Sequence, residues 1–146
     1  MGLPAMLEAP DLHIQEGQPT VLVVDDEPTL VALVRTMLWR AGFTVLEATG
    51  PEEALRIASR TPHVDVLLTD ILMPGMNGYE LAAQLRSKRP EIKVLFMSGY
   101  RDRAILESTG VVVEDLSLVR KPFTQYTLVS RIGELLADSR PSTSNT

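Results

Sequence analysis

Five polar residues of this sequence lie at the ends of short, mainly apolar runs, and their side chains could do chemistry together. They are Asp25, Asp26, Asp70, Ser98 and Lys121. Three carboxylates that are brought together repel one another unless a cation lies between them. Magnesium prefers oxygen ligands and commonly bridges protein carboxylates to a phosphate oxygen, and the set contains no histidine or cysteine to favour zinc. These residue types therefore predict a magnesium site that accommodates a phosphoryl group.

Asp70 is the preferred candidate to receive that phosphoryl group. A carboxylate needs no general base to act as a nucleophile, whereas no histidine is placed to deprotonate Ser98. If Asp25 and Asp26 bind the metal, Asp70 is the carboxylate that remains. The Lys121 ammonium could neutralise one phosphoryl oxygen, and the Ser98 hydroxyl could donate a hydrogen bond to another.

The elements that must position these residues are strands and helices in alternation. Continuous apolar runs predict strands that are buried on both faces of a sheet. The predicted strands span 21–24, 43–48, 64–69, 94–97 and 116–119, and the helices after them span 28–41, 51–58, 79–87, 103–108 and 125–137. One apolar stripe is predicted for the first helix, formed by Leu30, Leu33, Val34, Met37 and Leu38. The segment Arg101-Asp102-Arg103 is predicted to be a solvated entry to the fourth helix.

Five strand and helix pairs with apolar strands predict a doubly wound α/β fold, with a parallel sheet and right-handed crossovers. In such sheets the functional groups collect beyond the carboxyl ends of the strands. Because the five polar residues follow the predicted strands, a single shared site is predicted there.

Composition argues against several other classes of protein. The chain has 146 residues, close to the roughly 150 of one domain, and its 14 basic and 19 acidic residues give a net charge of -5. An acidic balance argues against a nucleic-acid surface, and no apolar run approaches the roughly 18 residues of a membrane span. The absence of cysteine excludes disulfides and thiolate metal sites. No secretory signal is recognised, so the cytoplasm is the expected compartment.

Four segments carry the polar residues in a recognisable order. They are Val-Val-Asp25-Asp26-Glu-Pro, Leu-Leu-Thr-Asp70-Ile-Leu-Met-Pro74-Gly75-Met-Asn-Gly78, Leu-Phe-Met-Ser98-Gly99-Tyr100 and Arg-Lys121-Pro122-Phe123. Together they closely resemble the receiver domain of bacterial two-component response regulators. The likeness covers about residues 20–138 and is specific, because the four segments appear in order with the expected element between each pair. Residues 1–19 are then predicted to be a linker and residues 139–146 a disordered polar tail.

This resemblance implies a flavodoxin-like sheet with strand order 2-1-3-4-5 and phosphoryl transfer from a phosphohistidine to Asp70. It implies that Mg²⁺ is bound by Asp26 directly, by Asp25 through water, by Asp70 itself and by the backbone carbonyl of Leu72. The expected partner is a histidine kinase or a histidine phosphotransfer protein, with no direct contact to nucleic acid or membrane. A homodimer is left open.

The same resemblance implies that Ser98 and Lys121 contact the phosphoryl oxygens and that the Lys121–Pro122 peptide is cis, at the small cost of an X-Pro bond. The face expected to change on activation includes Tyr100, Leu118 and Pro122. Many receivers carry Tyr or Phe three residues before the lysine, as a ring that turns inward on activation. Leu118 occupies that position here, so Tyr100 is the alternative candidate for the moving aromatic.

Leu72 is a second departure from the family pattern, because its side chain cannot orient an attacking water.

Two other functions stay open on the residues alone. A magnesium-dependent phosphohydrolase with an aspartyl nucleophile generally needs a second acid-base carboxylate nearby, where this chain has Ile71 and Leu72. A nucleotide-binding flavodoxin-like module would need a glycine-rich phosphate loop, which this sequence lacks.

The segment ahead of the predicted domain bears on the protein's context. Leu3-Pro4-Ala5 and the acidic stretch from Glu8 to Gln18 resemble the junction between the ATP-binding domain of a hybrid sensor histidine kinase and its C-terminal receiver. We therefore prefer a receiver from a hybrid kinase over a free-standing single-domain regulator.

Overall fold

The structure is a computed structural model that describes residues 15, 17–99, 102 and 117–138, and strands and helices alternate through most of this part of the chain. The strands are β1 (Thr20–Val24), β2 (Thr44–Ala48), β3 (Val66–Asp70), β4 (Lys93–Ser98) and β5 (Leu118–Arg120). The helices are α1 (Pro28–Arg40), α2 (Pro51–Arg60), α3 (Gly78–Lys88) and α4 (Gln125–Ala137). The predicted helix at 103–108, Tyr100, the tail at 139–146 and most of residues 1–19 lie outside the described residues.

All five strands run parallel in one sheet, in the order β2-β1-β3-β4-β5. The predicted doubly wound α/β fold and its strand order are therefore confirmed. The chain moves from β1 to one edge of the sheet for β2 and then crosses to the other side for β3. Such a reversal opens a crevice at the carboxyl ends of the strands, beside β1 and β3.

Apolar residues fill the space on both faces of the sheet, because successive strand residues point to opposite sides. On one face, side chains such as Leu22 and Leu67 pack with α2 and α3. On the other face, side chains such as Val21, Val66 and Leu68 pack with α1 and α4. The strands are therefore buried on both sides, as their continuous apolar runs predict. Within the described part of the chain, no helix has both the length and the apolar character needed to cross a membrane.

Helix α1 buries a narrower stripe than the sequence predicts. Its buried residues are Val31, Val34 and Leu38, whereas Leu33 is 51% exposed. At 3.6 residues per turn, Leu33 lies about 200° around the helix from Val31, so the two side chains point in opposite directions. The prediction that Leu33 belongs to the buried stripe is wrong.

Residue Gln15, within the predicted linker, is bound where α1 ends and β2 begins. Its backbone N–H donates to Thr44 Oγ1 at 2.7 Å, and the Thr44 hydroxyl donates to the Gln15 carbonyl at 2.9 Å. The Gln15 side-chain amide also donates to the carbonyls of Trp39 and Phe43, at 2.9 and 3.1 Å. These contacts fix Gln15 at the amino ends of the strands.

One arginine joins two helices on the α2 and α3 face of the sheet. The Arg89 guanidinium donates to the carbonyl oxygens of Ala58 at 2.5 Å, of Pro62 at 3.3 Å and of Thr61. These carbonyls lie at and just beyond the end of α2, where the last turn of a helix leaves acceptors unpaired. A cation at this position also interacts favourably with the negative end of the helix dipole.

We expect Arg89→Ala to lower the free energy of unfolding by about 1–3 kcal/mol, because three carbonyls lose a charged donor. Urea denaturation followed by circular dichroism measures the change. Arg131→Ala, at an exposed position of α4, is the matched control and should change stability by less than about 0.5 kcal/mol. Equal stability of the two variants would contradict a structural role for Arg89.

Candidate functional site

A cleft of about 630 Å³ opens at the carboxyl ends of the strands, where the fold places its reversal. Charged and apolar residues share its lining. The lining residues are Asp26, Glu27, Asp70, Leu72, Met73, Pro74, Gly99, Asp102 and Lys121. Four of these described residues carry carboxylates and one carries an ammonium, so this part of the lining has a net negative charge.

Lys121 forms the central ion pairs of the site. Its Nζ donates to Asp25 Oδ2 at 2.9 Å and to Asp70 Oδ1 at 3.1 Å. Both carboxylates are nearly inaccessible, with side-chain exposures of 1% for Asp25 and 8% for Asp70. The backbone N–H of Lys121 donates to the Ser98 carbonyl at 2.9 Å, directly after β5 pairs with β4. Pairing of the last two strands therefore brings the lysine to the carboxylates from the first and third strands.

The acidic residues form a group that could bind a metal ion. One oxygen each from Asp25, Asp26 and Asp70 lies within 4.8 Å of the others. Asp25 Oδ1 accepts from the Glu27 N–H at 2.9 Å, which fixes its orientation at the start of α1, while Asp26 is exposed. Three carboxylates without nitrogen or sulfur donors fit a hard cation such as Mg²⁺. Leu72, whose carbonyl is the fourth predicted ligand, lines the same cleft.

Burial and the neighbouring charges shift the pKa of Asp70 in opposite directions. Burial is the main cause that raises the pKa of Asp70 from 3.8 to about 6, and the nearby Asp25 charge adds to it, while Lys121 acts against it. The pKa of Lys121 is raised as well. Burial lowers the pKa of Lys121, but its hydrogen bonds and charge interactions with Asp25 and Asp70 outweigh that effect. The lysine therefore stays charged, and the Asp70 carboxylate is costly to hold without a further cation.

A glycine fixes the backbone that carries Asp70. Gly78 donates its N–H to the Ile71 carbonyl at 2.8 Å, and a β-carbon at position 78 would overlap the Asp70 carbonyl oxygen. That oxygen also accepts from the Thr69 hydroxyl at 2.9 Å. The first turn of α3 is capped by the reciprocal hydrogen bonds of Asn77 and Glu80. The requirement for close backbone contact explains why glycine stands at position 78.

Ser98 is the last residue of β4 and is 2% exposed. Its hydroxyl donates a long hydrogen bond of 3.4 Å to the Gly99 carbonyl, so it is weakly held. Leu118 is buried and pairs in register with Phe96 of β4. The Lys121–Pro122 peptide is cis, as the sequence resemblance implies.

Asp102 is a residue of this cleft that the sequence did not single out. The prediction of a solvated Asp102 is wrong, because the residue is only 5% exposed. Its Oδ2 accepts from the Gly99 N–H at 2.6 Å. The spacing of three residues is the signal that could have found this contact, since an acidic residue often reaches back to a backbone N–H at the start of a helix.

Proteins of known family resemble this chain in sequence over most of its length. The family model for the response regulator receiver domain matches residues 21–133. Sensor kinase CckA of Brucella abortus is 35% identical over 122 residues, which are 82% of this chain and 13% of that kinase. The probable transcriptional regulatory protein TcrX of Mycobacterium tuberculosis is 34% identical over 122 residues, which are 83% of this chain and 51% of that regulator. The chain thus spans about half, or much less, of the length of these relatives.

A solved structure shows the same arrangement of strands and helices. The crystal structure of a response regulator receiver protein from Sinorhizobium medicae superimposes with a TM-score of 0.70 at 28% identity. The match covers 82% of this chain and 95% of that protein.

The raised pKa of Asp70 predicts a dependence of stability on pH. Between pH 3.8 and about 6 the folded protein holds a proton that the unfolded chain releases, so stability falls as the pH rises through that window. In metal-free buffer at pH 7.5, we expect Asp70→Asn to raise the free energy of unfolding by roughly 1–3 kcal/mol. The gain should fall by about half at pH 5, where most of the wild-type Asp70 is protonated in the folded state.

Urea denaturation at the two pH values measures this effect. Glu91→Gln, which neutralises an exposed carboxylate outside the cleft, should show no comparable gain. A destabilised Asp70→Asn protein at pH 7.5 would contradict the electrostatic account of the site.

Proposed function

The chain belongs to the family of response regulator receiver domains of two-component systems, and on that premise we propose that it accepts a phosphoryl group on Asp70 in the presence of Mg²⁺. The observation that carries this proposal is the contact of Lys121 Nζ with both Asp25 and Asp70, beside the exposed Asp26. This arrangement suits a phosphoryl acceptor, because the Lys121 ammonium can balance one charge of the phosphoryl group and a cation held by the carboxylates can balance the other.

The geometry supports a specific role for each oxygen of Asp70. Oδ1 accepts the hydrogen bond from Lys121, while no described residue donates to Oδ2, which is therefore the proposed nucleophile. In the proposed transfer, this oxygen attacks the phosphorus of a phosphohistidine, the phosphorus–nitrogen bond breaks, and the imidazole nitrogen keeps the electron pair and takes up a proton. The product is an acyl phosphate on Asp70.

Asp25, Asp26, Asp70 and the Leu72 carbonyl are the residues that would bind Mg²⁺ in this proposal. The ion would supply positive charge against the phosphoryl oxygens. Lys121 neutralises another of those oxygens, and the Ser98 hydroxyl, released from its long contact with Gly99, donates to a third. Capture by Ser98 and Lys121 would draw their loops inward and change the surface that a partner recognises.

An apolar groove next to the cleft supports the proposed partner. It encloses about 350 Å³ and is lined by Glu27, Leu30, Leu33, Gly99, Lys121, Pro122 and Phe123. Leu33 is half exposed at its edge. Because Lys121 belongs to both the groove and the cleft, a helix of a histidine kinase or histidine phosphotransfer protein seated here would bring its histidine to Asp70.

The context of the domain is part of the same proposal. The relatives include a sensor kinase and a transcriptional regulatory protein, and the linker-like sequence ahead of the domain favours a hybrid sensor kinase over a separate regulator. Transfer from such a kinase would take place in the cytoplasm.

The proposal predicts that acetyl phosphate and Mg²⁺ add a single phosphoryl mass to the protein, and that Asp70→Asn abolishes it. Intact-protein mass spectrometry measures the label. Asp26→Ala should lose labelling and its dependence on Mg²⁺ together, because the site can no longer balance the phosphoryl charge. Glu91→Gln is the control and should label as the wild type does.

Two results would count against this assignment. One is a phosphoryl label of wild-type extent on Asp70→Asn. The other is repeated turnover of a generic phosphate ester with Mg²⁺, which would indicate the phosphohydrolase instead of a protein labelled once.

Docking can be separated from chemistry by changing the donor. We expect Leu33→Ala to slow transfer from a phosphorylated histidine phosphotransfer protein by about tenfold, as for loss of one buried interface anchor. Labelling by acetyl phosphate should be unchanged, because this small donor needs no groove. Tyr126→Ala, which removes an apolar side chain that is 82% exposed outside the groove, is the matched control. Equal rates for Leu33→Ala and Tyr126→Ala with the protein donor would argue against the groove.

A further inference from the structure

Asp102 accepts a hydrogen bond from a backbone N–H in the lining of the cleft. Its carboxylate accepts from the Gly99 N–H at 2.6 Å, and both residues line the cleft with Asp70 and Lys121. The backbone N–H of Asp102 donates to the Gly99 carbonyl at 3.2 Å, which closes a tight turn after β4. In the unphosphorylated protein the Gly99 N–H is therefore paired with a carboxylate of the protein itself.

Tyr79 offers a second donor in the same region. It lies in the first turn of α3, directly after the glycine that contacts the Asp70 backbone, and its ring packs on Phe96 with the centroids 5.0 Å apart. Its hydroxyl oxygen is buried and has no hydrogen-bond partner among the described residues. A buried hydroxyl without a partner is unfavourable, so a state of the protein that supplies a partner would be favoured at this position.

The charge of Asp102 acts on both neighbouring groups. Burial first and the Asp102 charge second raise the pKa of Tyr79 to about 12, and Asp102 also contributes to the raised pKa of Asp70. Among the described lining residues of the cleft, four carboxylates already stand against the one ammonium of Lys121. A phosphoryl group on Asp70 adds negative charge there, so a second anion at the Gly99 N–H becomes less favourable.

We propose that Asp102 is a positioning residue whose carboxylate accepts a hydrogen bond from the Gly99 N–H until Asp70 is phosphorylated. The same carboxylate then accepts a hydrogen bond from the Tyr79 hydroxyl instead. The inference rests on the proposed phosphorylation of Asp70 and adds a regulatory step at that site. Release of Gly99 frees its N–H for a phosphoryl oxygen. Pairing with Tyr79 then gives the Asp102 carboxylate a new donor in place of Gly99.

Donors and acceptors balance in this exchange. Before phosphorylation, the Tyr79 hydroxyl lacks a partner among the described residues. Afterwards Gly99 donates to the phosphoryl group, Tyr79 donates to Asp102, and each donor is satisfied. A purely structural Asp102, which only closes the turn with Gly99, would instead affect both states equally and would have no energetic coupling to Tyr79.

Tyr79→Phe tests the exchange, because it removes only the hydroxyl. Beryllofluoride with Mg²⁺ serves as the probe for the phosphorylated state, and isothermal titration calorimetry measures its affinity. We expect Tyr79→Phe to bind the probe about 5- to 10-fold more weakly than wild type, as for one lost hydrogen bond. Its thermal midpoint without the probe should not fall. Tyr126→Phe makes the same change at an exposed position of α4 and should leave both measurements unchanged.

A double-mutant cycle separates positioning from capping. In an Asp102→Asn background, which keeps an acceptor for Gly99 but removes the charge, Tyr79→Phe should weaken probe binding by less than about twofold. Equal losses in the two backgrounds, or unchanged probe affinity of Tyr79→Phe, would overturn this inference while leaving the proposed function standing. Failure of the wild-type protein to bind the probe would overturn both.

Discussion

Close approach of the Lys121 ammonium to two buried carboxylates is the interaction on which the site depends. Asp25 and Asp70 end neighbouring strands, and the lysine lies 2.9 and 3.1 Å from their oxygens. Without this cation, two nearly inaccessible negative charges would face each other in a region of low dielectric. The parallel register of β1, β3, β4 and β5 is what makes the contact possible, because it delivers residues from distant parts of the chain to one edge of the sheet.

The same cation does not fully compensate the acids around it. Asp70 keeps a pKa near 6 even with Lys121 beside it, and the exposed Asp26 adds a further charge. The repulsion among these carboxylates therefore lowers stability at the position where a positively charged ligand could bind. Such a loss of stability at a functional site is common in proteins. The apolar layers on both faces of the sheet supply the stability that tolerates this unfavourable cluster.

Much of this architecture could be predicted from the sequence because its signals are local. Continuous apolar runs located the strands, and polar residues at the ends of four of the five runs pointed to the edge of the sheet where the cleft lies. Side-chain direction was harder to predict: Leu33 was placed on the buried stripe of α1, although the sheet contacts Val31, Val34 and Leu38. Two further features are the burial of Asp102 and the contact of Gly78 with the Asp70 backbone. Both depend on how a loop and the start of a helix pack against the sheet, and the spacing of apolar residues along the chain does not predict such contacts.

The hydrogen bonds of Gln15 affect how this domain can be tethered. They fix the chain at the amino ends of the strands, about 16 Å along β1 from the carboxylates. A module joined ahead of residue 15 would therefore be attached at the end of the sheet remote from the cleft, leaving the cleft accessible. The length of chain between such a module and Gln15 would then set the effective concentration of the cleft near its donor.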